Sequence, residues 1–395
     1  MSDKPAILGG KPMFEHKINI VRPVLPDYSE LQNEIQSILS SGMVTKGRYL
    51  NEFEEAIQDY LNVKHVVAVS SCTSGLMLTH KCLGLTGDVV VPSFTFMATV
   101  SSLIWNGLNP IFADVDIHTT NLSPEAAEAA ITPNTSAILA VHNFGNPAEI
   151  DALQAVADRH GIHLIFDAAH GFGALYKGQP LGPQGEANIF SMSPTKLLIT
   201  GEGGIVATNN SELAARIRLG REYGNDGNYD SLIAGLNARM PELNAIMGLK
   251  SLERLEDAAQ SRNETAAFFQ EMLGRLPGID FQKVHPQDRS SYKDFSITVE
   301  PTRFGLSRDE LAAAFAEENI DTRKYYDPPA HRQMAYQSYD DQRPLPNTNW
   351  LAANSLSFPI WSNMEPGTMN GICDAMERIF NHREAVKARL RVIAR

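Results

Sequence analysis

An acid and a lysine, each close to a predicted strand, are the strongest chemical signal in this sequence. Asp167 directly follows a short apolar run, Ile162–Phe166, and Lys196 leads into a glycine-rich turn, Thr200–Gly204. An acid at the carboxyl edge of a buried parallel strand lies where α/β sheets place ligands, and the lysine can project into the same crevice. A lysine amine can form a Schiff base with an aldehyde, and a carboxylate can keep a pyridine nitrogen protonated. The pair therefore predicts a site for pyridoxal 5'-phosphate (PLP).

A candidate phosphate cradle lies earlier in the chain. The segment Ser71–Gly75 follows a predicted strand, His65–Ser70, and opens a predicted helix. Backbone N–H groups at a helix start bind phosphate well, and small hydroxyl side chains such as Thr73 and Ser74 add donors. The alternative is that these two residues only cap the helix. A Walker-type GxxxxGK[ST] motif is absent and the stretch after Asp167 lacks the third glycine of GxGxxG, which disfavours a Rossmann dehydrogenase.

Strands and helices alternate over the first 250 residues, which predicts an α/β fold with a mostly parallel sheet covered on both faces. The predicted strands are short and rich in Val and Ile: His65–Ser70, Asp88–Pro92, Ala137–Val141, Ile162–Phe166, Ala187–Ser191 and Gly204–Thr208. The predicted helices between them are Leu50–Leu61, Gly75–Leu83, Thr95–Trp105, Ser123–Ala130 and Glu149–His160.

The pattern changes at about Pro241. A long helix is predicted from Pro241 to about Leu273, followed by a strand, Phe295–Val299, and by helices at Ser307–Glu317, Met369–Phe380 and Arg383–Arg395. The stretch Asp327–Asn349 is rich in Pro, Tyr and Gln and predicts a long loop, which in a compact domain is usually functional. We therefore expect a large PLP-binding α/β domain over residues 1–246 and a small C-terminal α+β domain over residues 247–395.

Composition excludes several classes of function. The chain has 395 residues and a formal net charge of −12, which argues against nonspecific nucleic-acid binding. It has no apolar run long enough to span a membrane and no secretory signal pattern. Three scattered cysteines, Cys72, Cys82 and Cys373, are too few for a disulfide framework. We expect a cytoplasmic enzyme with no bound metal.

With these motifs in view, the sequence resembles the sugar aminotransferases of the DegT/DnrJ/EryC1/StrS family, which have the aspartate aminotransferase fold (fold type I). The resemblance runs from Ile20–Pro26 to Ser357–Pro359. It rests on a set of motifs that are specific together: Gly47–Glu54, Val91–Thr99, Asp167–His170, Thr195–Lys196 and Gly201–Gly204.

The resemblance implies roles for individual residues. Lys196 matches the Schiff-base lysine, and Asp167 matches the acid on the pyridine nitrogen. The other cofactor contacts that it implies are His170 at the ring hydroxyl, Phe96 on the ring face, Thr73, Ser74 and Ser191 at the phosphate, and Asn237 reaching the phosphate from the partner subunit. One departure is Cys72, where relatives often have Gly or Asn. Some relatives have His in place of the lysine and are dehydratases, so Lys196 favours transamination.

The resemblance also implies the substrates: glutamate or glutamine as amino donor and a nucleotide-linked keto sugar as acceptor, in deoxyaminosugar biosynthesis. Candidate contacts to the pyrophosphate are Lys46, Arg48 and Arg239, and candidate contacts to the sugar are Tyr325, Tyr326 and His331. The segments Leu8–Pro12 and Asp321–Tyr325 look most like those of enzymes that aminate C4 of dTDP-4-keto-6-deoxyglucose. Amination at C3 or of a keto-inositol is an alternative, and a catalytically silent PLP-binding regulator is an alternative of another class. A homodimer with shared active sites is expected.

Overall fold

The computed structural model describes residues 4–393, and the side chains of residues 4–392. Its strands are β1 His65–Val69, β2 Asp88–Pro92, β3 Asn109–Ala113, β4 Thr135–Val141, β5 His163–Asp167, β6 Leu175–Tyr176, β7 Gln179–Pro180, β8 Ala187–Ser191, β9 Gly204–Thr208, β10 Ile279–Phe281, β11 Phe295–Val299 and β12 Ser355–Phe358.

Fourteen α-helices lie within the described residues. They are α1 Tyr28–Ser41, α2 Arg48–Leu61, α3 Cys72–Leu83, α4 Met97–Ile104, α5 Pro124–Ala130, α6 Ile150–His160, α7 Ser211–Gly220, α8 Glu242–Leu252, α9 Leu255–Leu273, α10 Pro301–Phe304, α11 Arg308–Glu317, α12 Pro346–Asn354, α13 Pro366–Asn381 and α14 Arg383–Ile393. Among these helices, none is both long enough and apolar enough to cross a bilayer.

A seven-stranded sheet is the centre of the larger unit. Its strand order is β1-β9-β8-β5-β4-β2-β3. Strands β8, β5, β4, β2 and β3 run parallel, and β9 is antiparallel to both of its neighbours. The mostly parallel α/β sheet predicted from the sequence is thus confirmed. Strand β3 was not predicted, because its second residue, Pro110, cannot donate a ladder hydrogen bond; an edge position tolerates this, and β3 is an edge strand.

Several predicted helix ends differ from the observed ones. Helix α3 begins at Cys72 rather than at Gly75, because Ser71 caps it. The single long helix predicted from Pro241 is wrong: α8 and α9 are separate helices, and Arg254 between them has φ −110° and ψ 2°. Helices α1 and α7 were not predicted. The predicted loop Asp327–Asn349 holds two short 3₁₀ helices, and its last four residues belong to α12, which begins at Pro346.

Two hydrophobic cores divide the chain. One packs on both faces of the large sheet and includes Leu255 and Ala259 from the first half of α9. The other packs around the antiparallel sheet β10-β11-β12 and includes Ala266 and Phe269 from the second half of α9. The predicted boundary between residues 246 and 247 falls inside α8, whose Ala245 belongs to the first core. We propose that the chain divides within α9 instead. The large unit is the part of the chain before this point, and the small unit is the part after it.

Candidate active site

A cavity of about 390 Å³ opens at the carboxyl ends of the parallel strands β4, β5 and β8. The last residue of each strand borders it: Val141, Asp167 and Ser191. The start of α3, the segment before α4, the turn between β8 and β9, and the small unit supply the other walls. This is the edge at which open α/β sheets bind ligands. The sequence predicts that Asp167 and Lys196 belong to one site, and both residues line this cavity.

Asp167 is held by hydrogen bonds from the cavity wall. Its Oδ2 accepts from Thr99 Oγ1 at 2.7 Å, and its Oδ1 accepts from the backbone N–H of Ala169 at 3.1 Å. The Cys72 thiol lies 3.8 Å from the same Oδ1. Burial raises the pKa of Asp167, while the Thr99 and Ala169 hydrogen bonds and the charge of Lys196 lower it. The carboxylate is therefore fixed in position and can take a positively charged group from the cavity.

Lys196 lies in the turn between β8 and β9, which hydrogen bonds hold closed. Its backbone N–H donates to the Ser193 carbonyl at 3.0 Å, and that of Thr200 donates to the Met192 carbonyl at 2.9 Å. Burial in the cavity wall lowers the pKa of Lys196 to about 7, and the positive charge of Lys293 acts in the same direction. At neutral pH the amine therefore exists in both protonated and unprotonated forms, as a nucleophile or a proton carrier requires.

His170 has an unsatisfied ring nitrogen. The residue lines the cavity, and its buried Nδ1 has no hydrogen-bond partner. Burial holds the pKa of His170 well below its usual value, and the charges of Lys196 and Lys293 lower it further. A neutral imidazole with one free ring nitrogen can donate to or accept from a ligand hydroxyl.

The start of α3 forms one end of the cavity. Ser71, Cys72 and Thr73 border it, as does Ser191. A Cβ on Gly204 would lie 2.4 Å from the Ser71 carbonyl carbon, so only glycine lets β9 approach the helix start this closely. Ser74 is different: its hydroxyl lies 3.1 Å from the Ser71 N–H in a capping box, and it does not border the cavity. For Ser74 the geometry favours the capping alternative.

Aromatic side chains close the opposite side. Phe96, which precedes α4, borders the cavity and remains 50 % exposed. Tyr325 and Tyr326 from the small unit also border it. The Tyr326 ring stacks on Phe144 at 5.7 Å between ring centroids, and burial raises the pKa of Tyr325 to about 12, so its hydroxyl stays protonated.

Other candidate residues lie elsewhere in the subunit. His331 is buried against Ser93, with Nδ1 2.7 Å from the serine Oγ, and does not border the cavity. Arg48 is exposed and pairs with Glu52 on its own helix. Lys46, Arg239 and the exposed Asn237 lie on a different surface. There Lys46 and Arg239 both pair with Glu222, at 2.9 and 3.2 Å.

The structure adds residues that sequence reasoning did not find. Thr99 contacts Asp167, and Lys293 and Asp294 line the cavity from the small unit. Thr99 is the last residue of the motif Val91–Thr99, and nothing in that motif distinguishes it from its neighbours. Lys293 and Asp294 directly precede the predicted strand Phe295–Val299, and two adjacent charges in front of a buried strand were the available signal.

Known proteins are similar to this chain over most of its length. The sequence model of the DegT/DnrJ/EryC1/StrS aminotransferase family matches residues 27–377. The spore coat polysaccharide biosynthesis protein SpsC of Bacillus subtilis (strain 168) is 33% identical over 366 residues, which cover 88% of this chain and 93% of that protein.

Solved structures are similar over nearly the whole chain. The structure of DesI in the presence of its TDP-sugar product has a TM-score of 0.93 at 35% identity, covering 99% of this chain and 100% of that one. DesV of S. venezuelae has a TM-score of 0.85 at 32% identity, covering 92% and 99%. These matches confirm the fold type I architecture and the enzyme class expected from the sequence, and the chain belongs to the DegT/DnrJ/EryC1/StrS aminotransferase family.

Proposed function

We propose that this enzyme is a PLP-dependent aminotransferase that moves an amino group from glutamate or glutamine to C4 of dTDP-4-keto-6-deoxyglucose. The observation that carries the proposal is the convergence of Lys196 and Asp167 on one cavity at the carboxyl edge of the sheet. Two relatives support the substrate class: the DesI structure was determined in the presence of its TDP-sugar product, and SpsC is named for polysaccharide biosynthesis.

The residues that border the cavity fit PLP. The orphaned Nδ1 of His170 suits the ring hydroxyl, and Asp167 suits the protonated ring nitrogen. Phe96 suits the ring face, and Thr73, Ser191 and the N–H groups at the start of α3 suit the phosphate. When bound there, PLP supplies an aldehyde that accepts an amine and a ring that takes up electrons.

Lys196 is the proton carrier in this proposal. Its Nζ takes a proton from the donor carbon that bears the amino group and later returns one to the acceptor carbon. A pKa of about 7 lets the same amine serve as base and as acid near neutral pH. Asp167 would orient a positively charged group bound in the cavity, because Thr99 and Ala169 hold both of its oxygens.

We also propose a homodimer in which each active site takes residues from both chains. A single chain leaves large apolar side chains exposed, among them Met43, Val44, Phe96, Tyr223 and Leu232. Lys46, Arg239 and Asn237 lie outside their own chain's cavity, on the surface around Glu222. We propose that this surface faces a partner's phosphate groups. A cytoplasmic location is proposed from the three cysteines, which are buried and unpaired.

The test is direct assay with product analysis. The enzyme with PLP and glutamate is incubated with dTDP-4-keto-6-deoxyglucose, with a 3-keto isomer and with a keto-inositol, and NMR locates the new amine. Amination at C4 of the first compound supports the proposal, and amination only of another acceptor overturns the regiochemistry. Oxaloacetate and pyruvate compete in the same assay, and a clear preference for either overturns the substrate class. An absorbance spectrum that glutamate does not change would identify a silent binder instead.

A further inference from the structure

A buried ion pair faces the cavity from the small unit. The Nζ of Lys293 lies 2.9 and 3.0 Å from the two carboxylate oxygens of Asp294. Only 9 % of the Lys293 side chain and 6 % of the Asp294 side chain are exposed, yet both residues border the cavity that holds Lys196. The resemblance assigned no role to either residue.

The backbone around this pair is held by hydrogen bonds from two parts of the chain. The guanidinium of Arg262, itself buried, donates to the carbonyls of Tyr292 and Lys293 at 3.1 and 3.2 Å. The N–H of Lys293 donates to the Phe144 carbonyl at 3.1 Å, and that of Ser291 donates to the Gly145 carbonyl at 3.1 Å. A pair held this rigidly presents its polar atoms in one orientation, which is what a specific recognition element requires.

Packing alone does not explain why an ion pair is buried at this position. A buried ion pair contributes little net stability compared with apolar residues of similar volume, because desolvation offsets the attraction between the charges. Here the two charges neutralise each other at the wall of a cavity, so the pair has little net charge with which to attract a substrate carboxylate or phosphate. The pair can still form hydrogen bonds with an uncharged polar group. One further N–H of Lys293 can donate, and the remaining lone pairs of Asp294 can accept.

We propose that Lys293 and Asp294 together recognise two neighbouring hydroxyl groups of the acceptor sugar ring, with Lys293 donating to one oxygen and Asp294 accepting from the other hydroxyl. A ring hydroxyl is both donor and acceptor, so a vicinal pair is matched by one fixed donor beside one fixed acceptor. This inference rests on the proposed sugar substrate and names the residues that determine its specificity. Glutamate has no hydroxyl pair, so the donor half of the reaction does not use this element.

The test variant replaces both residues, Lys293→Met with Asp294→Leu. Single substitutions are unsuitable because each would leave one charge buried and unpaired. They would also disturb Lys196, since Lys293 lowers its pKa and Asp294 raises it. A milder double variant, Lys293→Gln with Asp294→Asn, gives the same readouts if the first does not fold. The control is Lys250→Met with Glu253→Gln, which removes a more exposed ion pair at the C-terminal end of α8.

Single-turnover rates separate the two halves of the reaction. We expect the reaction of the PLP form with glutamate to stay within about three-fold of the unaltered enzyme. The reaction of the aminated enzyme with dTDP-4-keto-6-deoxyglucose should lose about 100-fold or more in kcat/KM, because sites built for hydroxyl groups depend strongly on them. An equal loss in both halves, or no loss in the second, would overturn the proposal.

Two further probes identify the hydroxyl groups. The unaltered enzyme should discriminate against dTDP-4-keto-2,6-dideoxyglucose, which lacks one hydroxyl, and the double variant should not. Calorimetry with protein free of cofactor should show unchanged affinity for dTDP but weaker binding of dTDP-glucose. Discrimination that persists in the variant would refute the role of the pair. Failure of the unaltered enzyme with every keto sugar would instead refute the proposed function, so the two failures are distinguishable.

Discussion

Thr99 Oγ1 donates to Oδ2 of Asp167 at 2.7 Å, and the direction of this hydrogen bond follows from the charge of the carboxylate. An ionised carboxylate only accepts, so the threonine must donate to it. Thr95 Oγ1 lies 2.8 Å from Thr99 Oγ1 and is then the donor to Thr99. The two threonines thus form a directed chain that ends on the acid proposed to hold the cofactor's ring nitrogen.

Replacing Thr99 by Val should move the acid limb of the pH–rate profile to higher pH. The Thr99 hydrogen bond lowers the pKa of Asp167 against the raising effect of burial. Without it the carboxylate becomes protonated at a higher pH as the pH falls, and we expect kcat near neutrality to drop about 10-fold. The Thr99→Ser variant keeps the hydroxyl and serves as control. A Val variant with the profile of the unaltered enzyme would contradict the role of this bond.

Replacing Asp167 by Asn keeps the shape of the side chain and removes its charge. We expect the single-turnover rate with glutamate to fall by about 10²–10³-fold, a typical effect of losing one preorganised electrostatic partner. PLP should still bind, because Thr73, Ser191 and Lys196 are unchanged. Stopped-flow absorbance measures the rate, and the bound PLP spectrum checks occupancy. A variant that reacts at the unaltered rate would show that the charge is not needed.

Replacing Lys196 by Met should stabilise the PLP-free protein at neutral pH. The pKa of Lys196 is about 7 in the folded state against 10.5 ordinarily, so the folded state binds fewer protons than the unfolded state. The resulting penalty is full below about pH 7 and disappears as the pH rises towards 10.5. Urea unfolding should show a gain on the order of a few kcal/mol at pH 7 that shrinks by pH 9.5.

The Lys250–Glu253 pair supplies the control for that experiment, because 29 % of the Lys250 side chain is exposed and Lys250→Met therefore removes a charge that is in contact with solvent. Equal or lower stability of the Lys196→Met variant at pH 7 would show that the lysine carries no such penalty. Both variants are compared without PLP, since bound PLP would itself stabilise the folded state.

Mixing two inactive variants tests the shared active site. Lys196→Ala removes the proton carrier from a chain's own cavity, and Asn237→Ala removes a side chain proposed to reach the partner's phosphate. In a mixed dimer one site has both unaltered residues, so random 1:1 exchange should restore about a quarter of the full activity. No recovery after demonstrated subunit exchange, or full activity from a monomer, would argue against sharing.

The large sheet was largely predictable from sequence because its strands are short apolar runs with distinct ends. The proximity of Asp167 and Lys196 followed from the same pattern, since Asp167 ends β5 and Lys196 follows β8 at the same edge of the sheet. Lys293 was not predictable in this way: it reaches the cavity only because the small unit packs against that edge, and no sequence spacing relates it to Lys196. His331 was assigned to the sugar pocket by resemblance, yet its ring is buried against Ser93.

Helix α9 has consequences for how the chain unfolds. Its first half packs in the core of the large sheet and its second half in the core of the small one, with Arg262 between them holding the backbone at Lys293. No flexible linker separates the two cores along this helix. When either core unfolds, the other core therefore loses the support of a continuous α9. The cavity should therefore be lost in a single cooperative transition, and amide protons on both halves of α9 should report the same free energy of opening in hydrogen exchange.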